Sequence, residues 1–296
     1  MESVREEFPL PYQIKLHNVR KNNGLLLESL VILQDDCNLS PQFYVQKYYA
    51  RYEQGESIDD LVQEICDAYR ETVADAEQKT PDLSFAHCRE RIIYRLVSME
   101  KNEEQLASMP YIPFLNLAIT FHCLMVQEKE GIGSIRINNT LLQSWELDHK
   151  QLFALAQENT MRLFPAKHCK LEQLMMDMIG ECGVSDEQAE KVLAETQSDS
   201  SPVTYVVTNE SGINGAAVIL YPKFLQQIAT VMGGSYYLLP SSIHEMLIVE
   251  GSTTMTVQQL RRMVHDVNER CVQVDEVLSD DVYYYNDQNG AVEICK

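Results

Sequence analysis

The stretch YYLLPSSIHEMLIVEG, Tyr236 to Gly251, sets two serines, a histidine and a glutamate between two apolar runs. It reads either as a hydrolase active site or as two strands joined by a tight turn. Leu238 and Leu239 end one apolar run, Pro240-Ser241-Ser242 is turn chemistry, and EMLIVEG is a second run closed by glycine. A zincin motif needs a second histidine four residues after His244, and Ile248 stands there. No Gly-x-Ser-x-Gly elbow occurs in the chain. The residues therefore favour strand, turn and strand, with Leu239 and Leu247 facing a core, His244 at the rim and Glu245 toward solvent. A catalytic set of Ser241, Ser242 and His244 stays open as the alternative, because triads assemble in space rather than in sequence.

The pattern continues outward on both sides. YPKFLQQIATVMGG predicts a helix with Pro222 near its start and Gly233 near its end, and TVQQLRRMVHDVNERCV predicts another. DDVYYYNDQNGAVEI reads as a hairpin around Asn289-Gly290, and VTYVVTN and AAVIL as strands flanking ESGING. From about Thr140 to Thr196 helical spacing dominates, ending in SDEQAEKVLAET and the polar connector QSDSSP. Before it, LNLAITFHCLMVQ is a long strand and SIRIN its return. Near the start, YQIKLHNVRKNNGLLLESLVIL alternates and turns at Asn22-Asn23-Gly24. Ser40 and Pro41 then look like the cap and first residue of a helix, Ser57 and Asp60 open a second, and a third is expected from about Ser84 through Ile92, Ile93 and Leu96.

A hairpin precedes a helix three times, at KNNGLLLESLVI with SPQFYV, at EGIGSIRINNTLLQSW and at ESGINGAAVILYPKFL, and Gly24, Gly215 and Gly290 are expected in or beside hairpin turns. The fold class this implies is α+β: antiparallel sheet built from β-hairpin–helix units sharing sheet structure, with a helical middle segment. Two prolines in MPYIPF, Met109 to Phe114, suggest a boundary. An N-terminal part over residues 1–109 and a main lobe over residues 110–296 follow, or one continuous domain.

KNNG at Lys21–Gly24, followed by LSPQFYVQKYYARYEQGESIDDLV, resembles a clostridial family known only as domain-of-unknown-function family 5688. The shared pattern is a KNNG turn, a proline, a tyrosine, a Tyr-Tyr-x-x-Tyr helix and a glycine. Here these are Pro41, Tyr44, Tyr48, Tyr49, Tyr52 and Gly55. LLQSWELDHKQLFALAQENT and EVLSDDVYYYN are similar to the middle and end of that family. The resemblance implies a bacterial origin and brings no activity with it.

Composition narrows the function classes. Apolar residues make up 45% of the chain, enough for a sizeable core. No apolar run reaches the roughly 18 residues of a membrane span, and the acidic start has no apolar leader segment. A cytoplasmic setting is expected. The net charge of −20, spread along the chain, disfavours direct contact with nucleic acid or anionic membrane. The same acidity allows a different role, a decoy that occupies a nucleic-acid-binding enzyme.

The eight cysteines include no Cys-x-x-Cys. Reduced thiols and no bound zinc are expected. Three His-Cys pairs leave a weaker alternative in which His87, His122 and His168 each give one ligand to a metal. The acid pairs Asp35-Asp36, Asp59-Asp60 and Asp280-Asp281 suit caps and loops as well as they suit magnesium. RERIIYR, Arg89 to Arg95, is the densest basic run. On a helix Arg91 and Arg95 would share a face and meet acids such as Glu90, and a phosphate role is the weaker reading. Tyr48 and Tyr52 at helical spacing suggest packing more than an interface.

No phosphate-cradling glycine loop or cofactor motif is present, so no cofactor is expected. The expectation is a non-enzymatic interaction or accessory protein with a protein partner of unknown identity. A serine hydrolase at Ser241, Ser242 and His244 and the acidic decoy are the alternatives.

Overall fold

A computed structural model describes residues 2–34, 40–75, 81–128, 131–181 and 203–296. The expected helix SDEQAEKVLAET, the connector QSDSSP, Asp35-Asp36, Cys37 and Cys182 lie outside the described residues. The chain is α+β, with antiparallel strand pairing throughout the described sheets. It forms two compact units, Met1–Ser84 and Phe85–Lys296.

The first unit begins with α1 (Glu2–Glu7). A sheet follows, in the order β1 (Gln13–Arg20), β2 (Leu26–Leu33), β3 (Gln42–Tyr44). Asn22–Gly24 turns the first hairpin as expected. Asn23 (φ 56°) and Gly24 (φ 72°) both take the left-handed region that Asn-Gly tolerates best. The helices α2 (Val45–Glu53) and α3 (Ile58–Asp75) complete the unit. Alternate strand residues Ile14, Leu30, Ile32 and Phe43 bury against Ile65, Cys66 and Tyr69 of α3.

The helix expected from Pro41 starts later. Residues Gln42–Tyr44 pair with Val31–Ser29, which buries Phe43, and Ser40 Oγ donates to the Ile32 carbonyl at 2.7 Å instead of capping.

The second unit holds two sheets. In the first, the order is β4 (Ile92–Ser98), β6 (Leu117–Glu128), β5 (Tyr111–Phe114), with β7 (Gly131–Arg136) also on β6. In the second, the order is β13 (Ala291–Ile294), β12 (Tyr283–Asn286), β10 (Tyr236–Pro240), β11 (Met246–Glu250), β9 (Thr204–Asn209), β8 (Ala166–Lys170). The helices are α4 (Phe85–Cys88), α5 (Glu103–Leu106), α6 (Asn139–Ser144), α7 (His149–Leu163), α8 (Leu171–Glu181), α9 (Phe224–Met232) and α10 (Val257–Arg270).

The three hairpin–helix units do not share one sheet. The β1–β2 hairpin, the β6–β7 hairpin and β9 belong to three different sheets. Ile92, Ile93 and Leu96 lie on strand β4, not on a helix. The Tyr94 N–H donates to Thr160 Oγ1 at 3.1 Å, and Asn159 Nδ2 donates to the Ile92 carbonyl at 3.1 Å. Helix α7 thus satisfies the outer edge of β4, which solvent would otherwise have to do.

AAVIL is a 3-10 helix, Gly215–Leu220, rather than a strand. Both neighbours of β9 are already taken by β8 and β11, so no edge remains for AAVIL to pair with. Gly215 accordingly sits outside any hairpin turn, while Gly290 lies in the β12–β13 hairpin. Residue 109 falls within the second unit, where β4 before it and β5 after it both pair with β6.

Candidate functional site

The turn Ser241–Glu245 joins β10 to β11, whose register places Leu239 opposite Leu247. Both pack with Val249, Leu260, Val264 and Val282, so the core-facing expectation for these leucines holds. The histidine sits deeper than a rim residue and is half-buried.

The Asn214 N–H donates to His244 Nδ1 at 3.1 Å, and Nε2 lies 3.3 Å from Glu276 Oε1. Accepting at Nδ1 fixes the proton on Nε2, which donates to the carboxylate. The serines are turned to other work. Ser242 Oγ accepts from the His244 backbone N–H at 3.0 Å, and Ser241 Oγ donates to Glu245 Oε1 at 3.4 Å. A nucleophile needs its hydroxyl on a free ring nitrogen of the base. Here neither nitrogen is free, so Ser241, Ser242 and His244 are neighbours but not a catalytic set in this arrangement.

The turn is instead a three-way junction. Thr208 Oγ1 donates to the His244 carbonyl at 2.8 Å, the Ala216 N–H to the Ile243 carbonyl at 3.2 Å, and the Ile243 N–H to the Glu276 carbonyl at 2.8 Å. A side chain at Gly215 would run into Thr208 Oγ1 and the His244 carbonyl, which is why glycine stands there.

The histidines of the three His-Cys pairs go to separate places. His87 is exposed on α4, His168 is exposed on β8, and His122 is buried on β6, 3.2 Å from Thr120 Oγ1. Among the described residues no three His, Cys, Asp or Glu side chains converge as metal ligands. Cys66, Cys123, Cys271 and Cys295 are free thiols. Burial, with a hydrogen bond to Cys88, pushes the Cys123 thiol up to about 12.

A polar cleft of about 300 Å³ opens in the second unit, lined by Lys101, Asn116, Arg261, His265, Asp280 and Asp281 among others. Leu115 takes a left-handed backbone (φ 56°), a conformation non-glycine residues rarely hold, in the turn between β5 and β6 next to Asn116. Asn116 Nδ2 donates to Ser279 Oγ at 3.2 Å and Asp281 Oδ2 at 2.9 Å, and its Oδ1 accepts from Tyr283 OH at 2.7 Å. Burial raises the Tyr283 phenol above its ordinary value, so it is a proton donor at neutral pH. Asn268 Nδ2 donates to Asp280 Oδ1 at 2.8 Å, and Lys101 Nζ stands 4.0 Å from Asp280. Arg261 donates to the Cys295 carbonyl at 2.7 Å, while its Nε is buried without an acceptor.

These groups suit the orientation of a small polar ligand. The sequence signalled only one part of this cleft, the Asp280-Asp281 pair. Both carboxylates accept from asparagine amides. Asn116 carried no signal, since its partners lie more than 160 residues away.

The model of a family of unknown function (DUF5688) matches residues 1–287. The chain belongs to the DUF5688 family. No curated protein and no solved structure matches it. In this DUF5688 member the KNNG turn and the Tyr-Tyr-x-x-Tyr helix both belong to the first compact unit. Tyr48 is half-buried against the core of that unit, whereas Tyr49 and Tyr52 are 58% and 47% exposed. The helical spacing therefore supplies packing at Tyr48 and an outward aromatic pair at Tyr49 and Tyr52, whose rings lie 6.5 Å apart. Among the described residues no helix is long and apolar enough to cross a membrane.

Proposed function

We propose that this DUF5688 protein is a cytoplasmic, non-enzymatic interaction protein that works by binding a protein partner. Direct contact with nucleic acid or membrane forms no part of this reading. The observation that carries it is the state of His244. Both ring nitrogens are committed to Asn214 and Glu276, which leaves Ser241 and Ser242 without a base. The exposed Tyr49–Tyr52 pair supplies the surface, since a tyrosine gives large contact area for little lost side-chain entropy.

The test runs in two arms. Treatment with a fluorophosphonate probe is expected to leave Ser241 and Ser242 unlabelled, and stoichiometric labelling of either would turn the reading to a serine hydrolase. In-cell cross-linking of the wild type is expected to yield a discrete complex that Tyr49→Ala/Tyr52→Ala loses while remaining folded by circular dichroism. An unchanged cross-linking pattern in that variant would remove the tyrosine pair as the interface.

A further inference from the structure

The face of the β4–β6–β7 sheet that carries Arg95 holds a second feature, separate from the cleft and the turn. Register places Arg95 of β4 opposite Thr120 of β6, and His122 of β6 opposite Arg136 of β7. Residues 120 and 122 point to the same face, so the two arginines flank the Thr120–His122 pair from either side. Apolar clusters close the two ends of this face: Ile93, Leu124 and Phe164 at one, Val97, Ala118 and Met109 at the other. The polar strip lies between them.

Its charges are unbalanced. Arg95 donates to Ser134 Oγ at 2.7 Å, but its Nε is shut off from solvent without an acceptor. Among the described residues no carboxylate lies within ion-pair distance of Arg95 or Arg136. Burial and the Arg136 charge pull Arg95 down to about 10. Burial and both arginines hold His122 well below its ordinary value, so it is neutral at pH 7. A chain of net charge −20 has acids to spare, yet none of those described neutralises this pair. Withdrawing a guanidinium from water without an acceptor costs stability unless an anion supplies one.

We propose that the Arg95–His122–Arg136 face binds a phosphate-group dianion, with the two guanidiniums as its principal ligands. Two guanidiniums with no carboxylate partner among the described residues match a group carrying close to two negative charges at neutral pH, and a carboxylate would neutralise only one. The guanidinium fork fits phosphate oxygens in bidentate fashion. Ser134 places a hydroxyl on the same strip, while Thr120 and His122 lie buried beneath it, 3.2 Å apart, and floor it with polar groups that add no charge. The basic run RERIIYR thus contributes through Arg95 on a strand, with Arg136 from a different hairpin as its companion.

The test is a calorimetric titration of the full chain with inorganic phosphate and with phenyl phosphate, against acetate at matched ionic strength. Saturable binding of a phosphate in the millimolar range or tighter is expected, with acetate at least about tenfold weaker. The free and esterified probes distinguish a site for free phosphate from one for a phosphorylated molecule. Arg136→Gln, at an exposed position, should weaken binding by about tenfold, and Arg95→Lys should weaken it while keeping the charge. Arg262→Gln, on the exposed side of α10, should leave it unchanged. No saturable binding of either phosphate, or equal binding by Arg136→Gln, overturns the site. Both results are independent of the serine and tyrosine tests above.

Discussion

Nε2 of His244 donates to Oε1 of Glu276 across 3.3 Å, and the Ile243 N–H donates to the Glu276 carbonyl at 2.8 Å. Side chain and main chain of Glu276 thus clamp the same turn. His244→Ala removes the acceptor for the Asn214 N–H and the donor for Glu276. A loss of about 1–3 kcal/mol in urea unfolding is expected, more than a rim histidine would cost. Glu276→Gln keeps an acceptor oxygen in place and should lose less. Equal stability of His244→Ala and wild type would show that the junction contributes nothing.

Gly215→Ala is expected to destabilise by about 1–3 kcal/mol or more, because the new methyl meets Thr208 Oγ1 and backbone atoms of His244 and Asn209. Gly55→Ala meets no atom and carries only the strain of φ 98°, about 1 kcal/mol. Denaturant midpoints of the two variants should therefore rank Gly215→Ala as the more damaging.

Thr160→Val strips the acceptor from the Tyr94 N–H on the outer edge of β4. The valine is nearly isosteric, so packing is kept and a buried donor is left unsatisfied. About 1–3 kcal/mol of stability should be lost, with faster amide exchange at Tyr94 by NMR as the local signature.

Alkaline pH should weaken the fold through Cys123. Its thiol, raised by burial to about 12 from an ordinary 9.0, stays protonated in the native state while the unfolded chain releases its proton. The unfolded state then binds fewer protons, so stability falls as pH rises from about 9 toward about 12. Cys123→Ala should show a flatter decline over that window in denaturant melts. An identical slope in both proteins would assign the alkaline loss to other groups.

The tight-turn reading of Pro240–Glu245 and the Asn-Gly hairpins were legible because each is coded within a few residues. Asn23 and Gly24 accept positive φ by their own chemistry, and the alternation on either side sets which face is buried. Helices α7 and α10 were equally legible. Asp148 with Gln151 and Thr256 with Gln259 cap them locally, and the apolar spacing needs no distant partner to be read.

Partners far along the chain decided the rest. Ile92–Ser98 carries residues that suit a helix or a strand, and it became a strand because β6 offers one hydrogen-bonding edge while Thr160 and Asn159 of α7 satisfy the other. AAVIL reads as a strand until β8 and β11 occupy both sides of β9, and a 3-10 helix then satisfies part of its backbone locally. Asn116 meets Ser279 and Asp281, and Arg95 comes to share a sheet face with Arg136, only once the strands have paired. Local sequence determined the Asn-Gly turns, the caps of α7 and α10 and the α+β class, since short-range sterics and hydrogen bonds suffice for these. The engagement of His244, the polar cleft and the paired arginines were decided by tertiary structure, because each depends on which unsatisfied edges and charges the folded chain brings together.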